Sequence, residues 1–234
     1  IQGHGRPITK EEIFDLFKKE KSICKISFET DKGKIGKGSG FFCQIDNFPI
    51  KYALFTNNHI LNESNLEIDK TINFECLELK KSIFNKEYNT IKKKIKITEK
   101  RKVFTNKELD YTCIELFKSD GIIDYFKIDP KLFKNDKNNL KDNDIFILQF
   151  PNGNDLSFSY GKIKSLIDNK IRHDASTDNG ISGSPIIRRY KENYIIGLHF
   201  GGIQKGKNIY SFNLGIIFDS ILNDINNKIN ENES

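Results

Sequence analysis

The sequence predicts an all-β architecture, a barrel or a sandwich, with a short helix near the start and an amphipathic helix at the end. Two observations carry this reading. Short strand-like runs recur along most of the chain, each bounded by Gly, Asn, Asp or Pro. Helical spacing of apolar residues is read in two places, after residue 8 and after residue 217. Size agrees: 234 residues with 19 phenylalanines can bury proper cores, for one large domain or two small ones.

Thr9-Lys10-Glu11-Glu12 reads as a capping box, with Ile8 and Ile13 placed for a hydrophobic staple. Ile13, Leu16 and Phe17 give one apolar face, so a helix is expected through about Glu20. Residues 22–28 alternate as a strand, Asp31-Lys32-Gly33 turns, and 36–44 is the next strand. Within it Gly38 and Gly40 mark a close backbone approach. Asp46-Asn47 leads into 52–56, and further strands are expected at 72–77, 91–97 and 112–117. The pattern loosens over 118–143, and the polar run 134–139 is the expected connection between two halves. Strands resume at 144–150, 156–166, 186–189, 194–200 and 209–214. Phe218, Ile221, Leu222, Ile225 and Ile229 then fall at helical spacing, which predicts a helix packed on a barrel.

Composition narrows function. No run approaches the ~20 apolar residues of a membrane-spanning helix, and no signal peptide is read at the start. Methionine is absent, so the chain is expected to be a matured form or an excised domain. Cys24, Cys43, Cys76 and Cys113 show neither paired zinc spacing nor a dense disulfide framework. Buried thiols behave as small hydrophobes, so core thiols are expected over disulfides, and these favour a reducing, intracellular compartment. The net charge of +6 raises nucleic acid as a partner class. The densest basic run, 92–102, alternates partly, as a strand or hairpin with one solvated face does. No helix-turn-helix, zinc-finger or RNA-binding signature accompanies it, so neither nucleic acid nor membrane is expected as a partner. A basic surface can still steer acidic peptides from a distance. No His-Glu-x-x-His pattern or other cluster implies a metal, and no cofactor is expected.

Chemistry concentrates in Thr177-Asp178-Asn179-Gly180-Ile181-Ser182-Gly183-Ser184-Pro185. Glycines allow a sharp turn and close approach, so a serine there can present its hydroxyl with backbone amides aimed at a developing oxyanion. The same composition also suits an ordinary loop before a strand. A serine nucleophile needs a base. Of the four histidines, His59 closes the apolar run 52–56 and its Asn57-Asn58 extension, and Asp110 opens the strand-like 110–116. A buried acid fixes the tautomer and orientation of such a base.

Gly38-Ser39-Gly40-Phe41-Phe42, Thr56-Asn57-Asn58-His59, Asp110-Tyr111-Thr112-Cys113-Ile114 and Gly180-Ile181-Ser182-Gly183-Ser184-Pro185 stand in that order. With them the chain, from about Ser22 to Phe218, resembles the chymotrypsin-fold serine proteases, with its closest likeness to bacterial glutamyl endopeptidases and related trypsin-like peptidase domains. The resemblance implies two six-stranded antiparallel β-barrels. Residues 1–118 would carry the first helix, the first barrel, His59 and Asp110. Residues 119–234 would carry the linker, the second barrel, Ser182, the specificity pocket and the last helix. It implies a His59–Asp110–Ser182 triad and an oxyanion hole from the amides of Gly180 and Ser182. A protein substrate would bind as an extended strand along Phe200-Gly201-Gly202, with His199 and Thr177 in a pocket for Glu or Gln. His199 as a plain core histidine, and Asp178 as a rival acid, are the alternatives. His173 is expected near the pocket and His4 in a tail. One departure stands out: Ile181 precedes the serine where trypsin has an aspartate, so that activation switch is expected to be absent. Ile1 could still be a processed terminus used near the pocket. The glutamyl endopeptidases are secreted, against the cue from the thiols. An inactive, peptide-binding relative is the other functional reading.

Overall fold

The computed structural model describes residues 7–29, 33, 35–79, 88–130, 132, 140–177, 180–189, 193–204 and 210–233. The capping box forms: the Glu12 amide donates to the Thr9 hydroxyl at 3.2 Å, and the Thr9 amide donates to the Glu12 carboxylate at 2.9 Å. This starts helix α1 (Lys10–Phe17), which buries Leu16. Glu12 also binds the buried Arg189 at 2.7 Å, and Arg189 reaches the Pro7 carbonyl at 2.6 Å. The first helix is therefore clamped to the second half of the molecule.

The first half is built from β1 (Ile23–Glu29), β2 (Ile35–Gln44), β3 (Tyr52–Thr56), β4 (Thr71–Leu79), β5 (Tyr88–Lys96), β6 (Val103–Asn106), β7 (Tyr111–Glu115) and β8 (Phe126–Lys127). They make one sheet in the order β5-β4-β1-β2-β3-β7-β6, with β8 added parallel to β2. The second half is a closed six-stranded barrel of β9 (Asp144–Gln149), β10 (Ser157–Ile167), β11 (Lys170–His173), β12 (Pro185–Arg188), β13 (Tyr194–Gln204) and β14 (Tyr210–Ile217). The all-β expectation holds, and so does one six-stranded barrel. Its counterpart differs: among the described residues the first sheet is open. Its edges are the lysine-rich β5 and the four-residue β6, and charged or short edge strands resist further pairing. Strands β6, β8 and β11 stand where the sequence pattern predicts none, and the polar run 134–139 lies outside the described residues.

Helix α2 (Phe218–Glu233) continues directly from β14, and its Phe218, Ile221, Leu222, Ile225 and Ile229 are all buried. Phe218 meets Phe55 with ring centroids 4.7 Å apart and Phe41 at 6.0 Å. One apolar cluster thus joins α2, the barrel and one face of the first sheet, while a second fills the other face. All four cysteines are free and buried, as core thiols.

Candidate active site

Strands β3 and β7 are antiparallel partners with Thr56 opposite Thr112. The residues just after β3 must therefore lie beside those just before β7, and this brings His59 to Asp110. The His59 ring is 2.8 Å from Asp110 through Nδ1 and Oδ2, and its backbone amide donates to Asp110 Oδ1 at 3.0 Å. The carboxylate thus grips His59 at two points, while the ring stays about half exposed. Asp110 has φ 46°, a left-handed conformation that persists in a non-glycine residue only when its surroundings enforce it. Asn57 Nδ2 donates to the Asp110 carbonyl at 2.8 Å. Asn106 Oδ1 accepts the amides of Glu108 and Leu109 at 2.9 and 3.0 Å, closing the turn that presents the acid.

Asn106 is held in turn from α2. Its Nδ2 donates to Asp224 at 2.9 Å, and the Tyr111 hydroxyl donates to the same carboxylate. Lys228 joins Asp224 at 2.9 Å and the Thr105 carbonyl at 2.7 Å. Asp224 therefore braces both sides of the Asp110 turn. Sequence reasoning misses both Asn106 and Asp224, since contacts this distant leave no local pattern.

Ser182 sits in a turn between Gly180, φ +82°, and Gly183, φ +87°. The Ser39 amide of β2 donates to the Ser182 carbonyl at 2.8 Å, and the Ser39 carbonyl accepts from the Thr56 hydroxyl at 2.7 Å. One residue thus ties the serine turn to the strand that delivers His59. From the barrel side the Gly183 amide donates to the His199 carbonyl at 3.0 Å. A Cβ on Gly183 would lie 1.9 Å from the Ser39 carbonyl oxygen, so only glycine fits this approach. Among the described residues, the amides of Gly180 and Ser182 donate to no protein acceptor, and Ser182 and His59 share no hydrogen bond. The Ser182 hydroxyl instead donates to the Phe200 carbonyl at 3.4 Å.

His199 lies on β13 at the barrel interior, 1% exposed, and its Nδ1 is 3.2 Å from Nε2 of the fully buried His173. Burial pulls the His173 pKa down to about 4, and burial with neighbouring His173 and His59 holds His199 well below the usual range. Both rings are therefore neutral near pH 7. Asn213, opposite His173 and Gly202 on β14, donates to the Ala175 carbonyl at 2.8 Å. That anchors Ala175, two residues before the half-buried Thr177. No hydrogen bond links Thr177 to His199 among the described residues. Strand β12 and the two residues before it pair with β13 as far as His199, so among the described residues 200–202 have no strand partner on that edge, and a Cβ on Gly201 would meet open space. Asp178, His4 and Ile1 lie outside the described residues. No group of three or more His, Cys, Asp or Glu side chains that could hold a metal occurs among the described residues.

The first sheet thus carries a carboxylate–imidazole pair joined at two points, and the barrel half carries a serine on a glycine turn that Ser39 ties to β2. The family model for the trypsin-like peptidase domain matches residues 38–198, and the chain belongs to that family. In solved structures it is similar to Deg5, with TM-score 0.61 and 18% identity over 92% of this chain and 94% of that one. It is also similar to a serine endoprotease from Yersinia pestis, with TM-score 0.60 and 12% identity over 96% of this chain and 67% of that one. Comparison with curated proteins finds no match.

Proposed function

We propose that the chain is a serine endopeptidase in which Ser182 attacks the peptide carbonyl and His59 carries its proton to the leaving amine. Asp110 holds the imidazole and stabilises its charged form. The amides of Gly180 and Ser182 receive the oxyanion, an arrangement in which each donor is typically worth ~2.7–4 kcal/mol. The observation that carries this is the two-point grip of Asp110 on His59, at 2.8 and 3.0 Å. The substrate adds as a strand along the open edge at Phe200, Gly201 and Gly202.

Before the scissile bond we propose Glu or Gln, as in glutamyl endopeptidases. A neutral imidazole carries one N–H. With His173 donating through Nε2 to Nδ1 of His199, the remaining His199 N–H is left for the substrate carboxylate or carboxamide. This assignment leaves His173 Nδ1 as a lone pair, in keeping with its having no hydrogen-bond partner among the described residues. Thr177 supplies a hydroxyl from the neighbouring segment.

A second reading, a protease-fold module that binds peptides without turnover, is favoured by the Ser182 hydroxyl pointing to Phe200 rather than His59. Cleavage of a diverse peptide library by the chain and by Ser182→Ala separates the two. Serine-dependent cuts after Glu or Gln support the triad and the pocket. Serine-dependent cuts after Lys, Arg or Phe keep the triad and remove the pocket. Failure of a fluorophosphonate to label Ser182 selects the binding module.

A further inference from the structure

Strand register gathers lysines onto one face of the first sheet. Lys92 of β5 stands opposite Glu75 of β4, Glu75 opposite Lys25 of β1, and Lys25 opposite Ser39 of β2. The next row on the same face runs Lys94, Asn73, Ser27, Lys37. At the β5 edge Lys96 comes two residues on, beside Asp69 at 2.7 Å. Of the acids on the face, Asp69 and Glu75 are taken up by Lys96 and Lys25 and Glu29 lies at its far end, while the exposed Asp155 lines the cleft at its border. Lys37, Lys92 and Lys94 make no ion pair among the described residues, and all three are exposed. Lys25, with Lys92 and Lys37 adding to it, holds the Glu75 carboxyl below the usual carboxylate range, so these ammonium groups converge.

The face ends at the candidate nucleophile. Ser39, which closes the first row, holds the Ser182 carbonyl at 2.8 Å. Lys25 donates to the Gly153 carbonyl at 3.2 Å, and the Lys37 stem packs on Gly153. The adjoining Asn152 backbone borders Gly180. A cleft of about 150 Å³, lined by Lys25, Glu75, Phe150 and 153–156 among others, opens where the face meets this loop. The β13 edge meets Ser182 separately, at Phe200, whose carbonyl accepts the Ser182 hydroxyl.

We propose that this basic sheet face docks an acidic polypeptide segment of the substrate, on the leaving-group side of the bond cut at Ser182. The placement rests on the peptidase reading: the acyl side of the substrate runs along 200–202, so the chain beyond the cut leaves toward β2 and the lysine rows. Neighbouring strands lie about 4.8 Å apart, so the distance from Lys94 to Lys37 across four strands is roughly 14 Å. A short extended run of Glu or Asp covers that distance.

The test uses two peptides with the same acyl side, one ending beyond the cut in four Glu and the other in four Gln. Binding is read by fluorescence anisotropy on the Ser182→Ala protein, and cleavage on the unmodified chain. The Glu-tailed peptide is expected to bind and react about tenfold better at low salt, the gain lying in KM. The ratio should fall close to one in the Lys92→Gln/Lys94→Gln variant. It should fall likewise at about 1 M salt, where the Debye length is only about 3 Å. No tail preference, or a preference kept in the variant, overturns the proposal. An equal gain with the four Glu on the acyl side overturns the placement. An oligonucleotide of matched charge that competes as strongly as the peptide replaces the polypeptide with a general polyanion. A chain that binds the Glu tail selectively yet cuts neither peptide sinks the peptidase reading and keeps the docking face.

Discussion

Gly183→Ala tests the joint between the two halves. At φ +87° the new residue would occupy left-handed space, at roughly 1–2 kcal/mol. Its Cβ would also stand 1.9 Å from the Ser39 carbonyl oxygen and 2.7 Å from the Thr56 hydroxyl. Backbone cannot yield as a flexible side chain does, so the serine turn must back away from β2. Two hydrogen bonds are then strained, Ser39 to Ser182 and Thr56 to Ser39, each worth about 1 kcal/mol. Together the effects come to about 3 kcal/mol. If that loss falls on Ser182 placement, kcat/KM drops about 100-fold, since each tenfold is about 1.36 kcal/mol. The assay is a urea midpoint, the rate of fluorophosphonate labelling and kcat/KM on one peptide. Gly201→Ala, whose Cβ meets open space, is the stability control and should leave the midpoint unmoved. A Gly183→Ala protein within about 0.5 kcal/mol of the parent and labelled at the same rate would refute the reasoning.

Asp110→Asn keeps the shape of the pair and removes its charge, so kcat should fall by about 10⁴, as with other triads; a fall under tenfold would argue against the role. Asp224→Ala strands Tyr111 and Asn106. Because the carboxylate is partly exposed, the expected loss is only about 1–2 kcal/mol, with kcat lowered more than KM. The depressed pKa of His173 gives acid lability. Its folded value is about 4 against 6.5 ordinarily, so the unfolded chain binds the extra proton between those values. Stability should therefore fall as pH drops from about 6.5 toward 4, by up to about 1.4 kcal/mol per unit. Urea midpoints against pH should show that slope flattened in His173→Asn. Burial raises all four thiols, Cys76 to about 11, so iodoacetamide should label none until the protein unfolds; labelling at native rates equal to a free thiol would contradict the packing.

Much of the fold is legible in the sequence because the informative signals are local. The Thr9 capping box, the β3 run and the helical spacing from Phe218 each fit within one element and can be read without the fold. His59 and Asp110 are marked by residue type, order and neighbouring strands, and the β3–β7 register explains why they meet. Strands β6 and β11, at four residues each, are too short for alternation to be distinguished from loop. The open first sheet is not legible because closure depends on whether β5 and β6 meet, and neither strand records its partner. Ser39 stands out in the sequence for its glycine neighbours, yet its tie to Ser182 is a backbone contact that no side chain announces. Asp224 gives no signal at all: on a helix with one polar and one apolar face it reads as one more solvated acid.

The brace from α2 has a consequence for order of assembly. Asp110 is held in its strained turn by Asn106 and Tyr111, and both are held by a carboxylate that lies more than a hundred residues further along. A ribosome releases the histidine, the acid and the serine well before it releases that brace. On the proposed reading, a nascent chain stopped at residue 217 already contains every reacting group but lacks the helix that sets one of them. Such a chain should react sluggishly with a fluorophosphonate while the chain extended through residue 233 reacts fully, which would delay proteolytic competence until synthesis has passed the last helix.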